Sequence, residues 1–257
     1  MLKIHVLSDL HTEFADFDAP ATDADVIVLA GDIGVGVRGL YWAAGEKALR
    51  GKPVLYVPGN HEFYDARLER MAVEMRHAAA ELGIHYLDNN VLDLDGVRFI
   101  GSTLWTDFLL MGDDMRRVSR AMMAAKETIT DFNAIIYGTT GWFTPGQSVA
   151  LHQAARRFIE DSLGKPFAGP KVVVSHHAPH RRCVAPEYED SELSPAFVSD
   201  LAPLMERHRI AAWIYGHTHT NISFEVENGC QVVSNQRGYP GEETGDFIPD
   251  LVVAVSA

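Results

Sequence analysis

The chain has 257 residues, 47% hydrophobic and 22% charged, with a formal net charge of −13. That composition is ordinary for a water-exposed globular protein with one large core, and no apolar run approaches the roughly 20 residues of a membrane span. The negative balance argues against non-specific affinity for nucleic acid or an anionic membrane, yet leaves open a phosphorylated substrate drawn to a locally positive metal site.

Residues 2–7 enter a strand directly, with none of the regions of a signal peptide. This strand delivers Ser8-Asp9-Leu10-His11. Side chains alternate with period two along an extended chain, so Asp-x-His is expected to put both side chains on one side. The pair also reads as a surface turn. Residues 25–30 form a nearly continuous apolar run, the pattern of a strand covered on both faces, and end at Gly31-Asp32-Ile33-Gly34. Flanking glycines allow a sharp turn that exposes the Asp32 carboxylate; alternatively Asp32 only forms the turn. A helix over 40–50 returns the chain for a parallel strand at 53–57, which is βαβ logic.

That strand stops at Pro58-Gly59 and presents Asn60-His61-Glu62. An amide oxygen is a neutral metal ligand, and the adjacent imidazole titrates near neutrality. An amphipathic helix over 65–82 follows, its Met71 and Met75 read as core and Gly83 as its stop. Short strands are expected at 84–87, 91–94 and 97–100, with Asp95-Gly96 as a hairpin turn into a second part of the sheet system. Trp105 reads as rim packing or as a wall for substrate. Residues 109–142, carrying Arg116, Arg117 and Arg120, read as a helical insert beside the site or as a solvated peripheral helix. A further helix covers 148–163.

The most strand-like run, 171–175, ends in His176-His177-Ala178-Pro179-His180. Three histidines in five residues after a buried strand are hard to explain by packing alone. A helix is expected over 194–209. A strand at 211–215 then leads into Gly216-His217-Thr218-His219, and closing strands are expected at 222–226, 231–234 and 251–255. A polar loop between the last two holds Arg237 and Tyr239. Arg237 is a candidate phosphate contact or a surface ion pair. His5, His77, His85, His152 and His208 read as structural or exposed. The two cysteines, Cys183 and Cys230, lack metal-binding spacing and point to a reducing, cytoplasmic setting. No repeat or linker interrupts residues 1–257, so one domain is expected.

Asp-x-His, Gly-Asp, Gly-Asn-His-Glu, a His after a valine-rich strand and Gly-His-x-His, in that order, resemble the calcineurin-like metallophosphoesterase superfamily. The resemblance implies an α/β fold, an α/β/β/α sandwich of two mixed β-sheets flanked by helices. It also implies two metal ions, with Mn, Fe or Zn suited to the mixed nitrogen and oxygen ligands. Asp9, His11, Asp32 and His219 would hold the first; Asp32, Asn60, His176 and His217 the second. His61 would act as general acid or stabiliser while a metal-bridging hydroxide attacks phosphorus. His177 would lie behind the ligands or touch substrate. The protein-phosphatase branch carries an Asp where this chain has Val35, which leaves His61 without a known orienting partner and points away from phosphoproteins. The expected substrate is a small-molecule or nucleotide phosphodiester or phosphomonoester. A silent scaffold binding a protein partner would be expected to lose ligands, and none is missing. A nuclease would need a basic stripe the chain lacks.

Overall fold

The computed structural model describes residues 1–139, 141–242, 244 and 246–256. Strands β1 (Leu2–Leu7), β2 (Val26–Ala30) and β3 (Val54–Val57) run parallel, with a long loop over 8–25 between the first two and helix α1 (Arg38–Gly45) between the second and third. Helix α2 (Leu68–Leu82) leads to β4 (His85–Tyr86), parallel to β3. Gly83 ends α2 in the left-handed conformation, where its amide reaches back to the helix carbonyls, as a glycine stop does.

The chain then crosses to a second sheet through the hairpin of β5 (Asn90–Leu94) and β6 (Val97–Ser102). Asp95 and Gly96 both take positive φ, 48° and 78°, the backbone of a two-residue primed turn. Helices α3 (Met115–Thr128) and α4 (Asp131–Ala134) and the small hairpin of β7 (Ile136–Tyr137) and β8 (Gly141–Trp142) follow. The stretch expected as a helical insert is thus helix, turn and hairpin. Helix α5 (Pro145–Gly164), capped by the Thr144 side chain, returns to β9 (Lys171–Ser175).

Residues 194–209, expected as one helix, instead form a short 3₁₀ turn at Ser194–Ala196 and helix α6 (Ala202–Arg207). Between them Val198 pairs with Ala178 as an isolated bridge. Pro203 lacks an N–H and sits in the first turn of α6, where that loss costs nothing, so the helix starts there rather than earlier. The chain closes with β10 (Ala212–Tyr215), β11 (Phe224–Glu225), β12 (Gln231–Ser234) and β13 (Val252–Val255).

The strand orders are β13-β1-β2-β3-β4 and β11-β12-β10-β9-β6-β5. Both sheets are mixed, since β13, β11 and β5 run antiparallel to neighbours that are otherwise parallel. Val6, Val28 and Leu55 of the first sheet share one buried cluster with Phe99, Val172 and Ile214 of the second. Each such side chain stabilises the sandwich by about 1.5–3 kcal/mol relative to exposure. Met75 of α2 packs on the outer face of the first sheet, and Ile159 of α5 on that of the second. The result is the α/β/β/α sandwich expected. Among the described residues no helix is long and apolar enough to cross a membrane.

Candidate metal centre

Strands β1, β2, β3, β9 and β10 all end at one edge, and the expected site residues follow their last positions. The sheets are locked there by Ser8 bridging Gln236, with amides of Arg237 and Gly238 donating to carbonyls of Ser8 and Asp9. Five of the residues sit at positive φ: Asp9 (51°), His11 (46°), Asp32 (53°), His217 (75°) and His219 (49°). Left-handed backbone is costly for non-glycine residues and gathers where a site over-determines it. Asp9 and His11 therefore do not lie on an extended segment. The expected period-two argument fails because the strand has already ended at Leu7, and two left-handed residues aim the side chains instead.

Glu62 sets the turns. Its buried carboxylate accepts from the Asp32 amide at 3.0 Å, the Ile33 amide at 2.9 Å, the Gly59 amide at 2.7 Å and the Tyr56 hydroxyl at 2.6 Å. One side chain thereby ties the turn after β2 to the turn after β3. Gly59 is required by contact: a Cβ there would overlap the Asp32 carboxylate. Gly31, at φ 93°, meets the His176 ring in the same way.

Two groups of ligand atoms result. In the first, Asp9, His11 and His219 lie together, with His11 Nε2 and His219 Nε2 3.0 Å apart and Asp9 Oδ1 3.5 Å from His219 Nε2. In the second, His176 Nε2 is 2.9 Å from Asn60 Oδ1, 3.2 Å from His217 Nδ1 and 3.4 Å from Asp32 Oδ2. Asp32 Oδ2 stands 4.0 Å from both His11 Nε2 and His61 Nε2, between the groups. All seven expected ligands are brought together.

The outward ring nitrogens are engaged. His11 Nδ1 faces Glu13 at 3.3 Å, His219 Nδ1 faces Glu242 at 2.6 Å, and His176 Nδ1 faces the Ala30 carbonyl at 3.0 Å. An Nδ1–H donated to oxygen leaves a lone pair on Nε2, the arrangement that supports a metal-bound imidazole. Facing lone pairs repel unless a proton or cation lies between them, so the donor set fits metal ions. Asn60 is oriented likewise: its Nδ2 donates to Asp131 Oδ1 at 2.8 Å, which turns its Oδ1 towards His176.

The buried carboxylates draw positive charge into this cluster. For His176, burial works against charge, but Asp32 and Asp9 outweigh it and raise the pKa to about 10. In His219, Asp9 and Glu242 likewise overcome burial, giving about 9. Burial, joined by His176, pushes His177 down to about 3. The His177 ring is buried, with Nδ1 on the Thr103 carbonyl at 3.1 Å and its face against His217. It backs a ligand and is absent from the cavity wall.

His61, for which the sequence offered no partner, has one: Glu13 Oε1 lies 3.0 Å from its Nδ1. Its Nε2 meets the Tyr239 hydroxyl at 2.9 Å. Burial opposes protonation of His61, but Asp32 and Glu13 raise its pKa. Glu13 and Asp131 carry no motif and were missed; only their placement reveals them. Arg237 differs from its expected role. Its guanidinium donates to the carbonyls of Leu10, Ala15 and Asp16, each at 3.0 Å, and does not line the cavity. It braces the loop that carries Asp9 and His11. Trp105 is core, packed between Phe143 and His177. His5 and His152 are buried and lie outside the ligand groups.

Two helix-flanked mixed sheets with carboxylates and imidazoles gathered at their common edge define a metallo-dependent phosphatase fold. The chain belongs to the calcineurin-like phosphoesterase family, whose profile matches residues 2–221. It is 26% identical to the uncharacterized protein L509 of Acanthamoeba polyphaga mimivirus, over 97% of this chain and 95% of that one. The crystal structure of phosphopantetheinyl hydrolase from Mycobacterium tuberculosis matches with a TM-score of 0.72 and 21% identity, covering 93% of this chain and 90% of that one. A dimetal phosphatase from Danio rerio matches with a TM-score of 0.51 and 15% identity, over 91% and 87%. At these identities the two solved structures show a shared fold.

Proposed function

We propose that the chain hydrolyses a phosphodiester or phosphomonoester of a small molecule or nucleotide at this site. Asp9, His11, Asp32 and His219 would hold one ion, and Asp32, Asn60, His176 and His217 a second; Mn, Fe or Zn suits that donor set. Such a pair supplies an acidified water and positive charge for the phosphoryl oxygens when bound. His61 holds a proton at Nε2, on the cavity side, and releases it to the departing alkoxide. Glu13 keeps the His61 ring in place and favours its charged form. Tyr239, whose hydroxyl meets the same nitrogen, marks where the leaving oxygen is received.

The reading is carried by the convergence of the His11, His176 and His219 ring nitrogens, each with its other nitrogen tied to oxygen. Packing alone does not call for that pattern. The Mycobacterium tuberculosis relative is named a phosphopantetheinyl hydrolase, so a phosphopantetheinyl ester belongs in the first substrate panel beside simple aryl esters. We read residues 1–257 as one domain, with the segment from 109 to 142 contributing to the cavity wall.

The test is hydrolysis of bis-p-nitrophenyl phosphate and p-nitrophenyl phosphate by protein stripped of metal and reloaded with Mn²⁺. Diester cleavage that needs metal and disappears in Asp32→Ala and His61→Ala supports the proposal, and a monoester preference moves it to phosphatase substrates. Protein that binds no metal ends it and favours a scaffold.

A further inference from the structure

The cavity in front of the site holds about 700 Å³, far more than a phosphoryl group needs and within the range of pockets that enclose a whole small molecule. One wall is the turn at 128–131, between α3 and α4. Another wall runs through 183–198 and includes Val184, Leu193 and Phe197. Phe197 stacks on the His217 ring, centroids 4.9 Å apart and 28° between planes, so the apolar wall begins at a proposed ligand.

No Lys or Arg is among the described residues that line this cavity. The arginines nearby are engaged elsewhere. Arg181 pairs with Asp200 at 2.6 Å, and Arg182 lies 3.9 Å over the Phe224 ring. Arg237 is held by backbone carbonyls. The charged side chains on the wall that touch no proposed ligand are carboxylates, Glu187 and Asp246, while Glu242 is paired with His219 at 2.6 Å. Phosphate groups are ordinarily met by Arg or Lys, and an anion placed among carboxylates without a cation is repelled and loses hydration.

We infer that the cavity selects esters whose alcohol portion carries no second phosphate or other anion: a neutral or cationic, partly apolar alcohol on a single phosphoryl group. Nucleoside polyphosphates and phosphorylated sugars fall outside this class. The inference rests on the hydrolase reading of the site and adds the substrate class to it.

Two probes of one chain length separate the questions. Pentylphosphonate and 4-carboxybutylphosphonate differ only at the end that enters the cavity, and neither can be hydrolysed. Calorimetric titration of the Mn²⁺-loaded full chain is expected to show the carboxylate bound about tenfold more weakly. Thr130→Lys, at an exposed wall position, is expected to narrow that difference. Among esters, p-nitrophenyl phosphorylcholine is expected to exceed the p-nitrophenyl ester of a 3′-phosphorylated thymidine 5′-phosphate in kcat/KM. Equal binding of the two phosphonates overturns the inference, and metal-dependent cleavage of bis-p-nitrophenyl phosphate by the same preparation leaves the hydrolase reading intact. Preferential pentylphosphonate binding without cleavage of any ester does the reverse: the cavity's preference stands and the hydrolase reading falls.

Discussion

Glu13 Oε1 stands 3.0 Å from Nδ1 of His61. The same oxygen lies 3.3 Å from Nδ1 of His11, so one carboxylate orients both the proposed acid and a proposed ligand. Burial would raise the Glu13 carboxyl, but the bonds from His11 and His61 outweigh it and hold it at about 2. Those bonds favour the charged carboxylate. Val35 stands where the resemblance would have placed an acidic partner; here an acidic residue from a different loop faces the histidine.

Glu13→Gln keeps the shape and removes the charge. We expect kcat to fall about 10–100-fold, the range for residues that position a ligand or catalytic group, with KM little changed. Glu13→Asp should recover part of the loss. Steady-state kinetics on one aryl ester read both, and a rise in KM alone would mean that Glu13 acts on substrate binding.

Asp131 anchors the Asn60 amide at 2.8 Å and also accepts from the Tyr64 hydroxyl at 2.7 Å. Asp131→Ala leaves that amide only its 3.1 Å bond to the Tyr64 hydroxyl, so Mn²⁺ affinity should drop about 10–100-fold. Competition with a metal indicator measures it. Unchanged affinity would remove Asn60 from the ligand set or show that the turn after β3 holds it unaided.

Gly59→Ala tests close approach. The added Cβ overlaps the Asp32 carboxylate, and overpacking of this kind costs about 1–3 kcal/mol. Both metal content and the midpoint of urea unfolding should fall. A variant with full metal content and wild-type stability would show that the two turns can separate freely.

His152 makes stability depend on pH. Burial lowers its pKa from 6.5 and outweighs the pull of Asp107, so the folded chain keeps it neutral. The unfolded chain protonates it as pH falls through 6.5, binds more protons there, and gains relative to the folded chain. Stability is lost on acidification in this window, by at most about 1.4 kcal/mol per pH unit for one group. His152→Gln should flatten the decline of the urea midpoint between about pH 7.5 and about pH 5.5. An unchanged slope would assign the decline to other groups.

The comparison of sequence with structure divides by range. Strands at 171–175 and 212–215 were legible because an apolar β-branched run and the turn that stops it are adjacent in the chain, and the ligand types stand directly after them. The helix over 194–209 was misread because its apolar spacing is helical; Pro203 is a local start signal within that stretch that was passed over, while the pairing of Val198 with Ala178 is set by a distant segment. His177 and Arg237 show the same limit. Both are residue types that bind phosphate, yet their nitrogens are taken up by Thr103 and by the carbonyls of the Asp9 loop.

By itself the sequence determined the motifs and the strand runs that deliver them, and its resemblance to a known family singled out the seven residues gathered at the sheet edge. Each motif is written within a few neighbouring positions. Only the tertiary structure decided that Glu13 serves His61 across 48 positions, that Asp131 turns Asn60 across 71, and that no Lys or Arg is among the described residues of the cavity wall. Those pairings depend on how strands register and where loops fold back. A carboxylate's role is settled by the donor it meets, and no local pattern names that donor.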